Sequence, residues 1–388
     1  PGTAPLRTKP VLFDDETLRD GLQSPSVATP TIEQKIELLH LMAALGIQAV
    51  NIGLPGAGAA VERDVEALAA EIVRARLPLF PNCAARTVAA DIEPIARVSQ
   101  KVGIAIEAAT FIGSSSIRQY AEDWDLDRML RSTETAVRLA LKNDLPVMYV
   151  TEDTTRANPE TIRKLYTTAI ECGAQAICIC DTVGHIAPWG VTSLVHYVRE
   201  VVAGTGRPVR IDWHGHRDRG LDLGNTLAAI FAGVDRVHGA GLGIGERVGN
   251  TPMDLILVNL KLMGFIDNDL AKLREYCELV SRACKVPIPV NYPVFGADAF
   301  RTATGVHAAA VIKALHKEKD AWLADQIYSG VPASLFGAEQ RIEIGPMSGR
   351  SNVVFWLERH GYERATSAAR RAGGYRGRVF PRSRERGK

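Results

Sequence analysis

RPVRIDWHGHRDRG, residues 207–220, runs from an arginine and a proline through a short apolar stretch to two histidines alternating with a glycine, then into a polar loop. The run reads as a β-strand, because apolar and β-branched residues bounded by turn formers favour a pleated, half-buried surface. Side chains on a strand alternate between its faces, so His214 and His216 point the same way at its C-terminal end. Read outward in both directions, the same phrase recurs: an apolar run, a Gly-containing or polar loop, then an amphipathic helical pattern. The runs are PVLFDDE, IQAVNIG, LPLFPNC, GIAIEAATF, LPVMYVT, AQAICICD, RPVRIDWH and VDRVHGA, eight in all. The intervening helices carry their own start signals. Thr31 with Gln34 three residues later forms a capping-box pattern, and Asn158 precedes Pro159 at a first helical position.

Strands alternating with helices imply parallel pairing through βαβ crossovers, and eight units in about 250 residues suit a (β/α)8 TIM barrel better than the alternative, a doubly wound open sheet. The expected organisation is a barrel over 10–262, a linker over 263–297 containing VPIPVNYP, and a smaller, mostly helical C-terminal subdomain or lid over 298–360. A basic tail over 361–388 follows, expected to be disordered. The 388 residues carry 46 basic and 44 acidic side chains, a net charge of +2, which gives no global signature for nucleic acid. The six cysteines form no CxxC pair, and a chain of this length does not need disulfide staples. No signal-peptide pattern and no membrane-length apolar run is visible. The expectation is a cytoplasmic protein, trimmed at its N-terminus, that meets neither nucleic acid nor membrane.

In such a barrel all strand C-termini share one rim, so Asp20, in DDETLRDG after the first strand, can reach the imidazoles after the seventh. Two histidines and one carboxylate with open positions describe a catalytic divalent-metal site rather than a closed structural one. Zn suits the donor set, and Mg or Mn would tolerate it. Glu152 after strand five, Thr182 after strand six, and Glu246 and Asn250 after strand eight belong to the same rim. The bland readings are a helix-start carboxylate for Glu152 and a helix cap for Thr182. GLGIG after the last strand is a weak phosphate-cradle signal, lacking the βαβ context.

ETLRDGLQSP, HGHRDRGLDLGNTLAAIFAGVDRVHGAGLGIGERVGN, ATGVHAAAVIK and GPMSGRSNV, in this order and spacing, resemble the 2-isopropylmalate synthase and homocitrate synthase family over residues 10–360. The resemblance implies a metal-dependent Claisen-type condensation, in which acetyl-CoA adds to the ketone of a 2-oxo acid and the thioester is then hydrolysed. It implies that Asp20, His214 and His216 hold the metal with Asn250 completing or supporting the shell, and that Arg19 donates to the oxygen that gains charge. Gln23 and Thr182 would contact the substrate. Glu152 would act on the acetyl group together with His307, delivered by the C-terminal subdomain of a partner subunit, and Tyr328 in IYSGVP would lie over the site. The implied assembly is a homodimer with exchanged C-terminal arms.

Two positions depart from the family pattern. Asn51 in NIGLPGAG stands where a glutamate is usual, and Ala109 in EAATFIGSS where a histidine is usual, which leaves the oxo acid open. Arg-Asp-Gly favours the isopropylmalate type and hence 2-oxoisovalerate, with citramalate- or homocitrate-type substrates as alternatives. Regulation by leucine through an added C-terminal domain is not expected. A hydroxyacyl-CoA lyase shares the barrel and the His-x-His, but depends on a cysteine in the loop after the last strand, and GLGIGERVGN has none. A barrel retained only as a binding scaffold is opposed by the intact Arg19, Asp20, Glu152, His214 and His216.

Overall fold

The computed structural model describes residues 10–318 and 321–362; most of the basic tail, 363–388, lies outside them. All eight apolar runs form strands: β1 (Leu12–Asp15), β2 (Ala49–Asn51), β3 (Phe80–Arg86), β4 (Glu107–Gly113), β5 (Val147–Glu152), β6 (Ala176–Asp181), β7 (Arg210–Gly215) and β8 (Arg236–Gly239). They close in sequence order into a barrel in which every neighbouring pair is parallel, and β1 pairs with β8 through Phe13–Val237 and Asp14–His238. The chain is therefore a (β/α)8 TIM barrel.

Local chemistry sets the helix boundaries. Thr31 accepts from the Gln34 backbone while the Gln34 side chain accepts from Thr31 N–H, opening the helix Ile32–Ala44, which buries Leu38, Leu39, Leu41 and Met42. Asn158 caps Pro159–Cys172, and Gly173 ends that helix at φ 114°, a conformation that favours glycine. No helix among the described residues is long and apolar enough to cross a membrane.

The chain divides into two compact units at Ile288–Pro289. The helix Leu273–Cys284, within the stretch expected to be a linker, belongs to the first unit and packs on Ile32–Ala44. Its Tyr276 hydroxyl donates to Asp15 at 2.6 Å and meets Thr17 Oγ1 at 2.9 Å, fastening the end of β1. The second unit contains the helices Gly305–Glu318, Ala321–Gln326 and Arg350–Arg359 and a two-stranded pairing of 301–302 with 341–342. Its core is built on Ala308, Val311, Ala314, Ala324 and Ile342.

The interior of the barrel departs from the usual filling of branched apolar side chains. Arg236, on β8 and only 2% exposed, contacts Asp212 and Glu107 at 2.7 Å each and Asp14 at 3.4 Å. Arg210 reaches the same Glu107 and Asp212 at 2.8 Å each. Charges this deep persist only when paired and hydrogen-bonded. Replacing Arg236 with Met should strip Asp14 of its guanidinium and leave Glu107 and Asp212 to share Arg210 alone, lowering unfolding stability by about 3–5 kcal/mol. Denaturant titration measures the loss. Against burial, Arg236 and then Arg210 hold the Asp212 carboxyl below its ordinary value, so the variant's deficit should shrink as pH falls and the stranded carboxylates protonate.

Candidate active site

β1 hands over to a tight turn that aims two side chains inward. Thr17 N–H donates to Asp15 Oδ1, and the Arg19 and Gly21 backbones donate back to Glu16 O, closing a short turn of 3-10 helix over Asp20–Gln23. A Cβ at Gly21 would lie 3.0 Å from Ile244 Cγ1, so the Asp-Gly step lets the turn approach the loop after β8. From β7, His214 and His216 point to the same side, their Nε2 atoms 3.2 Å apart. Asp20 Oδ2 lies 3.2 Å from His214 Nε2 and 3.4 Å from His216 Nε2.

Three such atoms this close must either share protons or hold a cation between them. The donor set suits a divalent cation with positions left for substrate, and the electrostatics agree. Burial alone would raise the Asp20 carboxyl, but Arg19, followed by the two imidazoles, holds it well below the usual carboxylate range. Burial lowers His214 below the ordinary imidazole value against the pull of Asp20, favouring the neutral ring that binds metals. His216 Nδ1 and Asn250 Oδ1 are buried without a hydrogen-bond partner among the described residues. Asn250 is bridged to His216 through the backbone and donates from its amide to Ile244 O at 3.1 Å.

The glycines of GLGIGERVGN serve a backbone turn. Gly249 sits at φ 103°, and a Cβ there would fall 1.8 Å from Gly243 O. Arg217 N–H donates to Gly249 O and Thr251 N–H to Gly215 O, tying the loop to the end of β7.

Arg19, Asp20, His214 and His216 line a cavity of about 440 Å³ that also reaches Gln23, Asn51, Ala109, Glu152, Thr182 and Glu246. Arg19 is gripped by Glu16 Oε2 at 2.6 Å, lies 3.8 Å from Asp20, and keeps its Nε–H buried without an acceptor among the described residues. Gln23 Oε1 lies 3.5 Å from Arg19 Nη1. Thr182 Oγ1 accepts from Asp153 N–H at 2.8 Å, leaving its hydroxyl proton free to donate. Burial, reinforced by Asp153 and Glu246 and opposed by Arg118, pushes the Glu152 carboxyl above its ordinary value. Asn51 Oδ1 accepts from Gly53 N–H at 3.3 Å, so this departure caps a turn. His307 and Tyr328 lie in the second unit, both exposed, with their rings stacked at 4.1 Å between centroids.

Two site neighbours escaped the sequence reading. Glu16 Oε1 lies 3.1 Å from His238 Nδ1 and 3.9 Å from His214 Nδ1, while His238 Nε2 lies 3.2 Å from Asp212. Glu16, His214 and His238 form a second group with metal-binding geometry, sharing His214 with the first. Against burial, Arg19 and then His238 pull the Glu16 carboxyl down to about 2. The available signal was period two: Asp14 and Glu16, Asp212 and His214, and Arg236 and His238 each stand two apart in apolar strands, which puts each pair on the inward face.

The HMGL-like family profile matches residues 10–280, and the chain belongs to that family. It is 32% identical over 356 residues to the homocitrate synthase AksA of Methanopyrus kandleri, covering 91% of this chain and 83% of that protein. It is 31% identical to a probable 2-isopropylmalate synthase and 30% to a putative (R)-citramalate synthase CimA of the same organism; each match covers 90% of this chain but only 66% and 65% of those proteins. In fold it is similar to the HMG-CoA lyase of Bacillus subtilis, with a TM-score of 0.60 and 20% identity over 72% of this chain and 96% of that one. The homologues are thus synthases of one enzyme family that differ in the product acid their names specify.

The convergent donors predict one divalent ion per chain, measurable by elemental analysis of the purified protein. His214→Ala or His216→Ala should lose it, because the two imidazoles supply two of the three donors; full occupancy in the double variant would disprove the assignment.

Proposed function

We propose that the barrel condenses acetyl-CoA with a 2-oxo acid, 2-oxoisovalerate by the Arg-Asp-Gly motif, giving a 2-alkylmalate and free CoA. The observation that carries this reading is the convergence of Asp20, His214 and His216 beside Arg19, whose buried Nε–H lacks an acceptor among the described residues. Asp20, His214 and His216, with Asn250 in support, would hold a divalent cation, which would supply Lewis acidity toward the ketone.

Protein groups do the rest. Thr182, whose hydroxyl proton is free, donates to the substrate carboxylate, and Gln23 lines the same side of the cavity. Glu152, with no side-chain hydrogen bond among the described residues and a raised carboxyl, takes a proton from the acetyl methyl group. The methyl carbon then bonds to the ketone carbon, and Arg19 donates to the oxygen that gains the charge. Water cleaves the thioester, releasing the CoA thiol and leaving a carboxylate.

The cavity's surroundings support an acyl-CoA. Past Phe111 and Glu152 lies a second cavity of about 330 Å³ lined by Arg86, Arg118, Trp124 and Arg128. Arg118 and Arg128 flank the Trp124 ring at 5.8 and 5.6 Å, and Arg128 pairs with no carboxylate among the described residues. Guanidinium groups beside an aromatic ring suit the phosphates and base of a nucleotide. His307 and Tyr328, exposed together after the proline-rich segment 286–293, suit an arm that closes over the barrel of a partner subunit and excludes water.

Free-thiol release from acetyl-CoA with a panel of 2-oxo acids tests the reaction, and no release with any acid would refute it. Arg19→Ala should retain the metal yet lose on the order of a hundredfold in turnover, since its interaction develops only in the transition state. Glu152→Gln should cost about a hundredfold or more. The sign of the Glu152 shift sets two further outcomes. The base form accumulates only above the raised value, so the acidic limb of kcat should lie above the ordinary glutamate range. Ionisation of a carboxyl raised by folding costs stability above its unfolded value, so Glu152→Gln should not lower Tm at neutral pH. In the exchanged-arm assembly, mixing Arg19→Ala with His307→Ala chains should restore activity, because one site in each mixed dimer is then intact. Proven subunit exchange without recovery would place His307 elsewhere.

A further inference from the structure

The cavity beside His214 has an apolar wall to which the condensation as described assigns no role. It begins at Cys180, the register partner of His214 across β6 and β7. It continues through Cys178, Val150 and Met148 to Ala109, which pack as one cluster, and ends at Ala84, in register with Ala109. All six line the cavity. The residues furthest from His214 along this wall, Ala84 and Ala109, are the smallest, so the wall recedes there.

Charge limits what the wall can face. Of the cations lining the cavity, Arg19 pairs with Glu16 and Asp20, Arg247 with Asp218 at 2.7 Å, and His238 with Glu16 and Asp212. Behind Met148, whose sulfur lies 3.2 Å from Arg236, that guanidinium already holds three carboxylates. Among the described residues that line this cavity, every arginine already pairs with a carboxylate and none stands on the wall from Cys180 to Ala84, so burying a second substrate carboxylate there would be unfavourable.

We propose that this wall is the side-chain pocket for the oxo acid, that it selects uncharged apolar side chains extending beyond isopropyl to longer branched and aromatic groups, and that Ala84 and Ala109 set its depth. The inference rests on the condensation reading and deepens it by naming the substrate class. Apolar burial rewards each added methylene, and a pocket discriminates by about 10–200-fold per such group. A leucine at position 84 or 109 would fill the space that a phenyl ring or isobutyl group takes.

The test measures kcat/KM by thiol release with pyruvate, 2-oxoisovalerate, 4-methyl-2-oxopentanoate, phenylpyruvate, oxaloacetate and 2-oxoglutarate, and affinity for the same acids by calorimetry on the metal-loaded protein. The expected order places 4-methyl-2-oxopentanoate and phenylpyruvate at least level with 2-oxoisovalerate and about tenfold or more above pyruvate and both diacids. Ala109→Leu, and separately Ala84→Leu, should lower the phenylpyruvate-to-pyruvate ratio by about tenfold or more. Preference for a diacid or for pyruvate in the wild type overturns the pocket assignment whether or not the variants fold. An unchanged ratio in folded variants overturns the role of the two alanines. If no acid releases thiol, the condensation reading fails while the calorimetric order still judges the pocket.

Discussion

The barrel is organised around a buried guanidinium. Arg236 stands where branched apolar side chains usually fill the interior, and its charge is balanced by carboxylates from β1, β4 and β7. Because those partners come from strands far apart in sequence, the pairing is satisfied only when the barrel closes with β1 beside β8. The network continues upward: Asp212 meets His238, His238 meets Glu16, and Glu16 grips Arg19. A single chain of charge-assisted contacts thus connects the barrel centre to the rim. Such an arrangement adds little net stability over apolar packing, yet it penalises every alternative register that would leave one member unpaired.

Above this network the site is held from three directions. Tyr276, on a helix that follows the barrel, fastens Asp15 and Thr17 just before the Arg19–Asp20 turn. The glycine-rich loop folds tightly enough to bond the end of β7. Glu16 restrains the Arg19 guanidinium while leaving Nε–H unpartnered among the described residues. Restraint of this kind matters for chemistry that depends on donors aimed before the reaction begins, because reorganising them during it would consume the stabilisation they provide.

The cavity is divided by polarity. One side carries Asp20, His214, His216 and Arg19; the other carries Cys180, Val150, Met148 and Ala109. Glu152 lies where this cavity meets the arginine-lined one, and burial there makes its carboxyl a stronger base than an exposed glutamate. The relatives match this chain in sequence over the barrel while their names specify different product acids, and in the proposed reading the rim performs the chemistry and the wall sets the substrate.

The amino-acid sequence by itself determined the eight strands, the caps at Thr31 and Asn158, and the shared face of His214 and His216, because periodicity and capping are local properties of a few consecutive residues. It also placed Asp20, Glu152 and Thr182 on one rim, since parallel strands in a barrel end together. Only the tertiary structure decided that Asp20 comes within 3.4 Å of both imidazoles, that Glu16 and His238 stand behind them, and that Ala84 and Ala109 join one wall with Cys180. Period two says which face a side chain takes, but not which strand it will meet there. That choice is made by the closure and stagger of the barrel, where residues more than two hundred positions apart, such as Glu16 and His238, become partners because burial leaves their charges no other way to be satisfied.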